Sequence, residues 1–276
     1  MKKILVPTDF SEQAEKALIV AAQLAKKHSS EIFLLHMLEL PMGLADPARK
    51  GGNLPESLYF MKLANKHFKE ALNKPYLKGM KVIEMVQFQQ TFEGINQAAQ
   101  KYKVDLIVMG SHGATGFKEV FIGSNTEKVV RTSSVPVLVI KTKYKPFRIK
   151  NFVFASDFSS EITGAFKQAV SFAKKNEANL HLLLVNTPSH FYTTQNAHRL
   201  ISDFVKSVKP RLVNISTHVY NDMSVESGIL NFAHFIQADL IGMGTHGRKG
   251  LAHFLNGSIS EDMVNHSQLP VITFKI

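Results

Sequence analysis

Residues Leu106–Ser124 read LIVMGSHGATGFKEVFIGS. Leu106–Met109 are apolar and suit a buried strand. They run into a loop punctuated by Gly110, Gly113 and Gly116, after which Gly123-Ser124 opens a helix. A strand that empties into a glycine loop and then a helix N-terminus is a recurrent anion-binding device. Glycine lets the backbone approach an oxyanion, and the unpaired N–H groups of the helix start point at it. The stretch occurs twice. Leu240–Ser258 reads LIGMGTHGRKGLAHFLNGS, and Gly110, Gly113 and Gly123 recur as Gly244, Gly247 and Gly257 at a constant offset of 134.

Working towards the N-terminus, Lys3–Val6 forms a short strand followed by Pro7, Thr8, Asp9, Phe10 and Ser11. Ser11 is a suitable N-cap for the next helix, with Glu12 favourably placed in its first turn. Ala14, Leu18, Ala21, Ala22 and Ala25 repeat at helical spacing, and Lys26-Lys27-His28 suit the C-terminal end. Ile32–Leu38 is an apolar run broken only by His36, as in a buried parallel strand. Residues 39–56, rich in Pro and Gly, read as a loop. A helix with Met61, Ala64, Phe68 and Leu72 on one face then runs to a stop at Pro75. Val82–Phe88 is a third strand, Phe92–Tyr102 a third helix, and Leu106–Met109 the fourth strand. The helix after the glycine loop leads to a fifth strand at Val135–Lys141. Strands alternating with helices predict a parallel sheet covered on both faces.

The pattern then restarts. Asn151–Ser159 (NFVFASDFS) answers Lys2–Ser11 (KKILVPTDFS), with Asp157 matching Asp9 at an offset of 148. Leu180–Val185 and Val213–Tyr220 answer the second and third strands, Val225–Ile236 the third helix, and Leu269–Lys275 the fifth strand. The offset falls from 148 to 134, which assigns the second copy a deficit of 14 residues, expected opposite the loop at 39–56. A repeat this long is a duplicated domain. The expected domains are 1–143 and 149–276, joined by a basic linker that is either simply solvated or a strip for polyanions.

Composition bounds the rest. There is no cysteine, which excludes disulfides and thiolate metal sites and fits a reducing cytoplasm. The start, MKKILVPTDF, lacks the apolar core of a secretory signal, and no apolar run approaches the ~20 residues of a membrane span. The expectation is a soluble cytoplasmic protein without a membrane partner. The net charge of +11 is either a solvated basic surface or an attraction for polyanions. Nucleic acid is the less favoured partner, because no aromatic-rich strand motif for base stacking is apparent.

In an open parallel sheet, ligands bind outside the carboxyl ends of the strands where the strand order reverses. Asp9 and Gly110 lie just past such ends, as do Asp157 and Gly244. An aspartate there is either a turn residue or an acceptor for ribose hydroxyls; its recurrence beside a recurring loop favours the second. Ser124 and Thr126 would add hydroxyl donors for phosphates. No G-x-x-x-x-G-K-[ST] occurs, so the lysine and metal-ligand hydroxyl of hydrolysing P-loops are missing, and no G-x-G-x-x-G follows the first strand. His112 and His246 occupy matching loop positions, but neither has an evident nucleophile or carboxylate partner, which favours a backbone-positioning role over acid–base catalysis. No metal ligand set is evident: no histidine pair shows a metal-binding spacing, and His181, His190, His198, His218 and His234 are too scattered to argue a site.

The combined pattern resembles the universal stress protein family. Gly110, Gly113, Gly123 and Ser124 look like its ATP-binding Gly-x2-Gly-x9-Gly-Ser signature, repeated at Gly244, Gly247, Gly257 and Ser258. VPTDFS, His36-Met37 and VPVLVIK support the likeness, which covers nearly the whole chain as two tandem domains. The resemblance implies an α/β fold: two doubly wound parallel five-stranded sheets of order 3-2-1-4-5, like the adenine nucleotide alpha hydrolases, with nucleotide between strands one and four. It implies ATP, with or without Mg²⁺, as ligand, in a regulatory stress-response role; a slow ATPase or autophosphorylating protein and a nucleotide-free scaffold are the alternatives. In the first repeat, Asp9 and the backbone near Met37 would hold ribose and adenine, and Gly110, Gly113, Gly123, Ser124, Asn125 and Thr126 the phosphates, with Pro7, Thr8 and Met109 also among the nucleotide-binding residues. The second would use Asp157, Val185, Gly244, Gly247, Gly257, Ser258, Ile259 and Ser260. It departs from the pattern at Ala155, Ser156, Asn186 and Ile259, so the first site ranks above it. Family members pair through their fifth strands, which implies an intrachain pseudo-dimer of Val135–Ile140 with Val271–Phe274. A homodimer is also compatible.

Overall fold

The computed structural model describes residues 1–38, 54–88, 91–111, 123–142, 146–210, 214–245 and 259–276. The first repeat runs β1 (Lys3–Thr8), α1 (Glu12–His28), β2 (Glu31–Met37), α2 (Leu54–Leu72), β3 (Val82–Gln87), α3 (Thr91–Lys101), β4 (Leu106–Gly110), α4 (Ser124–Thr132) and β5 (Val137–Ile140). The second runs β6 (Asn151–Ala155), α5 (Thr163–Asn176), β7 (Asn179–Asn186), α6 (Thr194–Val208), β8 (Ile215–Asn221), α7 (Val225–Phe235), β9 (Leu240–Thr245), α8 (Ile259–His266) and β10 (Val271–Lys275). Short 3-10 turns follow α2 at Pro75–Leu77 and precede α5 at Ser160–Ile162.

The strands form one ten-stranded sheet in the order β3-β2-β1-β4-β5-β10-β9-β6-β7-β8. Each half therefore has the order 3-2-1-4-5, parallel throughout. The halves meet at an antiparallel seam in which Val139, Leu138 and Val137 pair with Val271, Ile272 and Thr273. The seam is the expected pseudo-dimer, and it gives both fifth strands a partner on each side. Alternation along the strands divides the core. Ile4, Val6, Leu34 and Phe152 point to one face, covered by α1, α2, α5 and α6. Leu5, Leu35, Val153 and Ile241 point to the other, covered by α3, α4, α7 and α8. Burial on both faces is why the strands read as continuous apolar runs.

Some boundaries differ from the sequence reading. Helix α2 begins at Leu54, so the last residues of the expected 39–56 loop are helical; 39–53 lie outside the described residues. Strand β5 starts at Val137, because Ser133 Oγ accepts from Val135 N at 3.0 Å and donates to Val135 O at 2.8 Å, closing a turn ahead of the strand. Duplication is more faithful in backbone than in side chains. The left-handed residues Phe10, Ser29 and Lys103 (φ 61°, 52° and 51°) recur as Phe158, Glu177 and Gln237 (56°, 59° and 52°). Residues 29 and 177 terminate α1 and α5, where a left-handed cap lets an N–H reach back to the last turn.

Candidate functional site

Between β1 and α1 the chain makes a tight turn that two side chains hold. Thr8 Oγ1 accepts from Phe10 N at 2.9 Å, and Asp9 Oδ1 accepts from Ser11 N at 3.0 Å. The second repeat copies it, Ser156 Oγ taking Phe158 N at 2.9 Å and Asp157 Oδ1 taking Ser159 N at 3.1 Å. The turn drives Phe10 inward against His36, His67 and Phe68, with ring centroids 4.7, 5.1 and 5.1 Å away. His36 Nδ1 lies 2.8 Å from the Thr8 carbonyl. Asp9 stays exposed at the carboxyl end of β1. Thr8 serves the turn with both hydroxyl and carbonyl, and Pro7 lies within β1, paired opposite Leu35.

Gly110 ends β4 beside the first turn of α1. A Cβ there would lie 2.7 Å from the Gln13 carbonyl oxygen, so only glycine lets the strand end and the helix start come this close. Past it, Gly123 N donates to Ser111 O at 2.8 Å, which pins together the two ends of the stretch 112–122. Thr126 Oγ1 donates to Gly110 O at 3.0 Å and is buried, so it anchors α4 to β4 and is already engaged, unlike the free donor expected from the sequence. Ser124 is exposed and Asn125 half-buried in the first turn of α4. Helix α1 is capped by Ser11 Oγ, which accepts from Ala14 N at 3.2 Å; the Gly123 cap of α4 offers no side-chain acceptor. Among the described residues no side chain caps the positive end of α4, which suits an anionic group.

Met37 ends β2 and lies over Gly94 in α3: a Cβ on Gly94 would meet Met37 Cε at 2.2 Å. Val185 packs on Gly228 in the same way, its Cγ1 2.5 Å from where a Cβ on Gly228 would lie. Gly94 and Gly228 share the 134 offset of the loop glycines, and that offset is the signal by which they could have been found. Met109 is buried within β4.

The second repeat differs at the corresponding end. A Cβ on Gly244 would meet Ile162 Cδ1 at 2.3 Å and Ile276 Cδ1 at 2.8 Å, where Gly110 meets backbone. Ile162 stands where the first repeat has Ala14. Buried Asn186 is engaged with Tyr192 and with Asn221 Oδ1 at 2.9 Å. Ser260 is buried and Ile259 half-buried at the start of α8, and Asp157 is exposed. Gly113, His112 and Gly116, and Gly247, His246, Gly257 and Ser258, lie outside the described residues.

The model of the universal stress protein family matches residues 1–141 and again 148–275. The universal stress protein MJ0577 of Methanocaldococcus jannaschii is 38% identical over 160 residues, which cover 51% of this chain and 96% of that protein. The universal stress protein YxiE of Bacillus subtilis is 30% identical over 156 residues, covering 50% and 98%. Over the full length, the crystal structure of a universal stress protein from Archaeoglobus fulgidus has a TM-score of 0.77 at 24% identity, covering 99% of this chain and 98% of that one, which shows a common fold. The relatives match one repeat and the solved structure matches both: the chain belongs to the universal stress protein family as a tandem two-domain member.

Proposed function

We propose that the chain is a cytoplasmic regulatory protein of the stress response whose first repeat binds ATP, with residues 1–143 and 149–276 as its two domains. The observation that carries this reading is a pairing at one sheet edge. An exposed carboxylate, Asp9, ends β1, and a helix start without a side-chain cap, that of α4, follows β4, on either side of the point where the strand order reverses. A nucleotide needs an acceptor for ribose hydroxyls and N–H donors for phosphates, and the described residues fit both needs. Ser124 and Asn125 would meet the phosphates, and Asp9 the ribose. Ile162 and Ile276 over Gly244 disfavour the same ligand in the second repeat. The missing P-loop lysine favours regulation by occupancy over turnover.

Calorimetric titration of the full chain with ATP tests the proposal. Gly123 has φ −59° and ψ 136°, a conformation open to any residue, so Gly123→Val blocks the helix start without backbone strain. We expect ATP affinity to fall at least about tenfold in Gly123→Val, a loss of about 1.4 kcal/mol, and to be unchanged in Asp157→Ala. Absence of ATP binding, or equal affinity in Gly123→Val, overturns the site. Phosphate release at ordinary enzyme rates, about 1–10³ s⁻¹, overturns the regulatory role.

A further inference from the structure

Towards the amino ends of β7 and β8, the second repeat replaces an apolar patch with converging nitrogen and oxygen donors. In β7 and β8, His181 Nδ1, His218 Nε2 and Ser216 Oγ form a triangle with sides of 3.2 Å (His181–His218), 2.8 Å (Ser216–His181) and 2.9 Å (Ser216–His218). The strand register identifies what the first repeat has at these places. His181 pairs with Ser216 as Phe33 pairs with Ile83, and Leu183 pairs with His218 as Leu35 pairs with Met85. Phe33 and Met85 are buried core residues. Three apolar side chains have thus been exchanged for two imidazoles and a hydroxyl, with both histidines half-buried and Phe232 of α7 packed 4.8 Å from the His218 ring.

The charge balance changes with them. In the first repeat the Lys3 ammonium donates to Tyr102 O at 3.0 Å, just past the C-terminal end of α3, and lies 5.6 Å from the centre of the Phe33 ring. A cation there complements the negative end of the helix. The second repeat has neutral Asn151 in place of Lys3. It still donates from Nδ2 to the carbonyl of Ile236 past α7, at 3.3 Å, but brings no charge. Its Oδ1 lies 3.4 Å from His181 Nε2 and 3.4 Å from Asn179 Nδ2. With Nδ2 committed as donor, Oδ1 accepts the Nε2 proton, which leaves His181 Nδ1 as an acceptor facing the Ser216 hydroxyl and the His218 ring. A histidine whose far N–H is fixed by a carbonyl-type oxygen is the usual orienting arrangement for a metal ligand.

The geometry points to a site for a first-row divalent transition cation, zinc or its neighbours nickel and copper, held by His181, His218 and Ser216, with Asn151 orienting His181. An ion about 2.0–2.1 Å from each nitrogen subtends about 100° across the 3.2 Å pair, close to tetrahedral. Imidazole ligands select such ions over the hard cation Mg²⁺. Among the described residues no set of three or more His, Cys, Asp or Glu converges, so two imidazoles carry the affinity and water completes the coordination shell. The cation would restore the charge that Lys3 supplies in the first repeat, and the site lies in the other repeat from the proposed nucleotide.

Zinc titration of the untagged, chelator-stripped full chain tests this, with the double variant His181→Phe/His218→Met as comparison. That variant installs the residues the first repeat already tolerates. Its folding is checked by thermal unfolding; if it unfolds, His218→Met alone is titrated and read identically. We expect one zinc per chain, bound at least about tenfold more weakly in the variant, with the ring signals of His181 and His218 shifting in the NMR spectrum of the wild-type chain. Magnesium should leave those signals in place. Absence of zinc binding, equal affinity in the variant, or equal displacement of the signals by magnesium would overturn the assignment.

Discussion

Lys141 and Lys275 hold equivalent positions 134 residues apart, and each reaches across the seam to cap the other repeat's last helix. Lys141 Nζ donates to Asn265 O in α8 at 2.5 Å, and Lys275 Nζ donates to Arg131 O in α4 at 3.4 Å. Both carbonyls lie in the last turn, where the helix dipole is negative and a lysine is favourable. The seam thus joins helix ends as well as strand edges. Helix α4, whose start is proposed to meet the phosphates, has its other end held by the second repeat.

This arrangement gives a pH signature. Burial lowers Lys141 from the ordinary 10.5 to about 8. Between those values the unfolded chain holds a proton that the folded chain has released, so stability rises with pH. The cost of burying the charge is fully present below about pH 8 and fades as pH approaches 10.5. Denaturant unfolding should therefore show wild type gaining stability relative to Lys141→Met across this window. A difference that stays flat between about pH 7 and 11 contradicts the assignment to Lys141.

The glycines near the candidate site should respond unequally to alanine. At Gly110 the new methyl meets the Gln13 backbone, which cannot swing away, and we expect a loss of about 1–3 kcal/mol. At Gly94 it meets the tip of Met37, a flexible side chain, and the helix gains from alanine, so the variant should lie within about 1 kcal/mol of wild type. Gly228→Ala meets stiff Val185 and should be worse than Gly94→Ala. Denaturation midpoints of the three variants check this order.

Much of the fold was legible because duplication writes it twice. The 148 and 134 offsets located the restart, and apolar runs separated by helical spacing fitted the 3-2-1-4-5 order once the family resemblance supplied it. Helix α6 has no counterpart in the sequence reading, although Ala197, Ile201 and Phe204 are spaced for one buried face. Contacts between distant positions were not legible. His181 and His218 are 37 residues apart and meet only because β7 and β8 are neighbours. Thr126 reads as a phosphate donor from its neighbours in sequence, but the carbonyl of Gly110 claims it. The middle of the signature, with Gly113 and Gly247, lies outside the described residues.

The two repeats should also differ at the start of their first helices. Ser11 Oγ caps α1, whereas Ser159 makes no side-chain cap bond and a 3-10 turn intervenes before α5. Ser11→Ala should cost about 1 kcal/mol, and Ser159→Ala only a few tenths. Equal losses in chemical denaturation would mean that the caps are alike in solution.

The seam predicts the behaviour of one repeat alone. A fragment of residues 1–143 would expose the edge of β5, whose residues Val137–Ile140 are all buried in the full chain. An unpaired apolar edge is a template for another strand. The fragment should fold, because relatives such as MJ0577 span about one repeat. Its simplest partner is a second copy, since the antiparallel pairing of β5 with β10 is already a pseudo-twofold contact between equivalent strands. Light scattering after size exclusion should give twice the fragment's mass. A monomeric fragment as stable as the full chain would show that the seam contributes little, and that the two repeats are joined by the linker more than by their sheet.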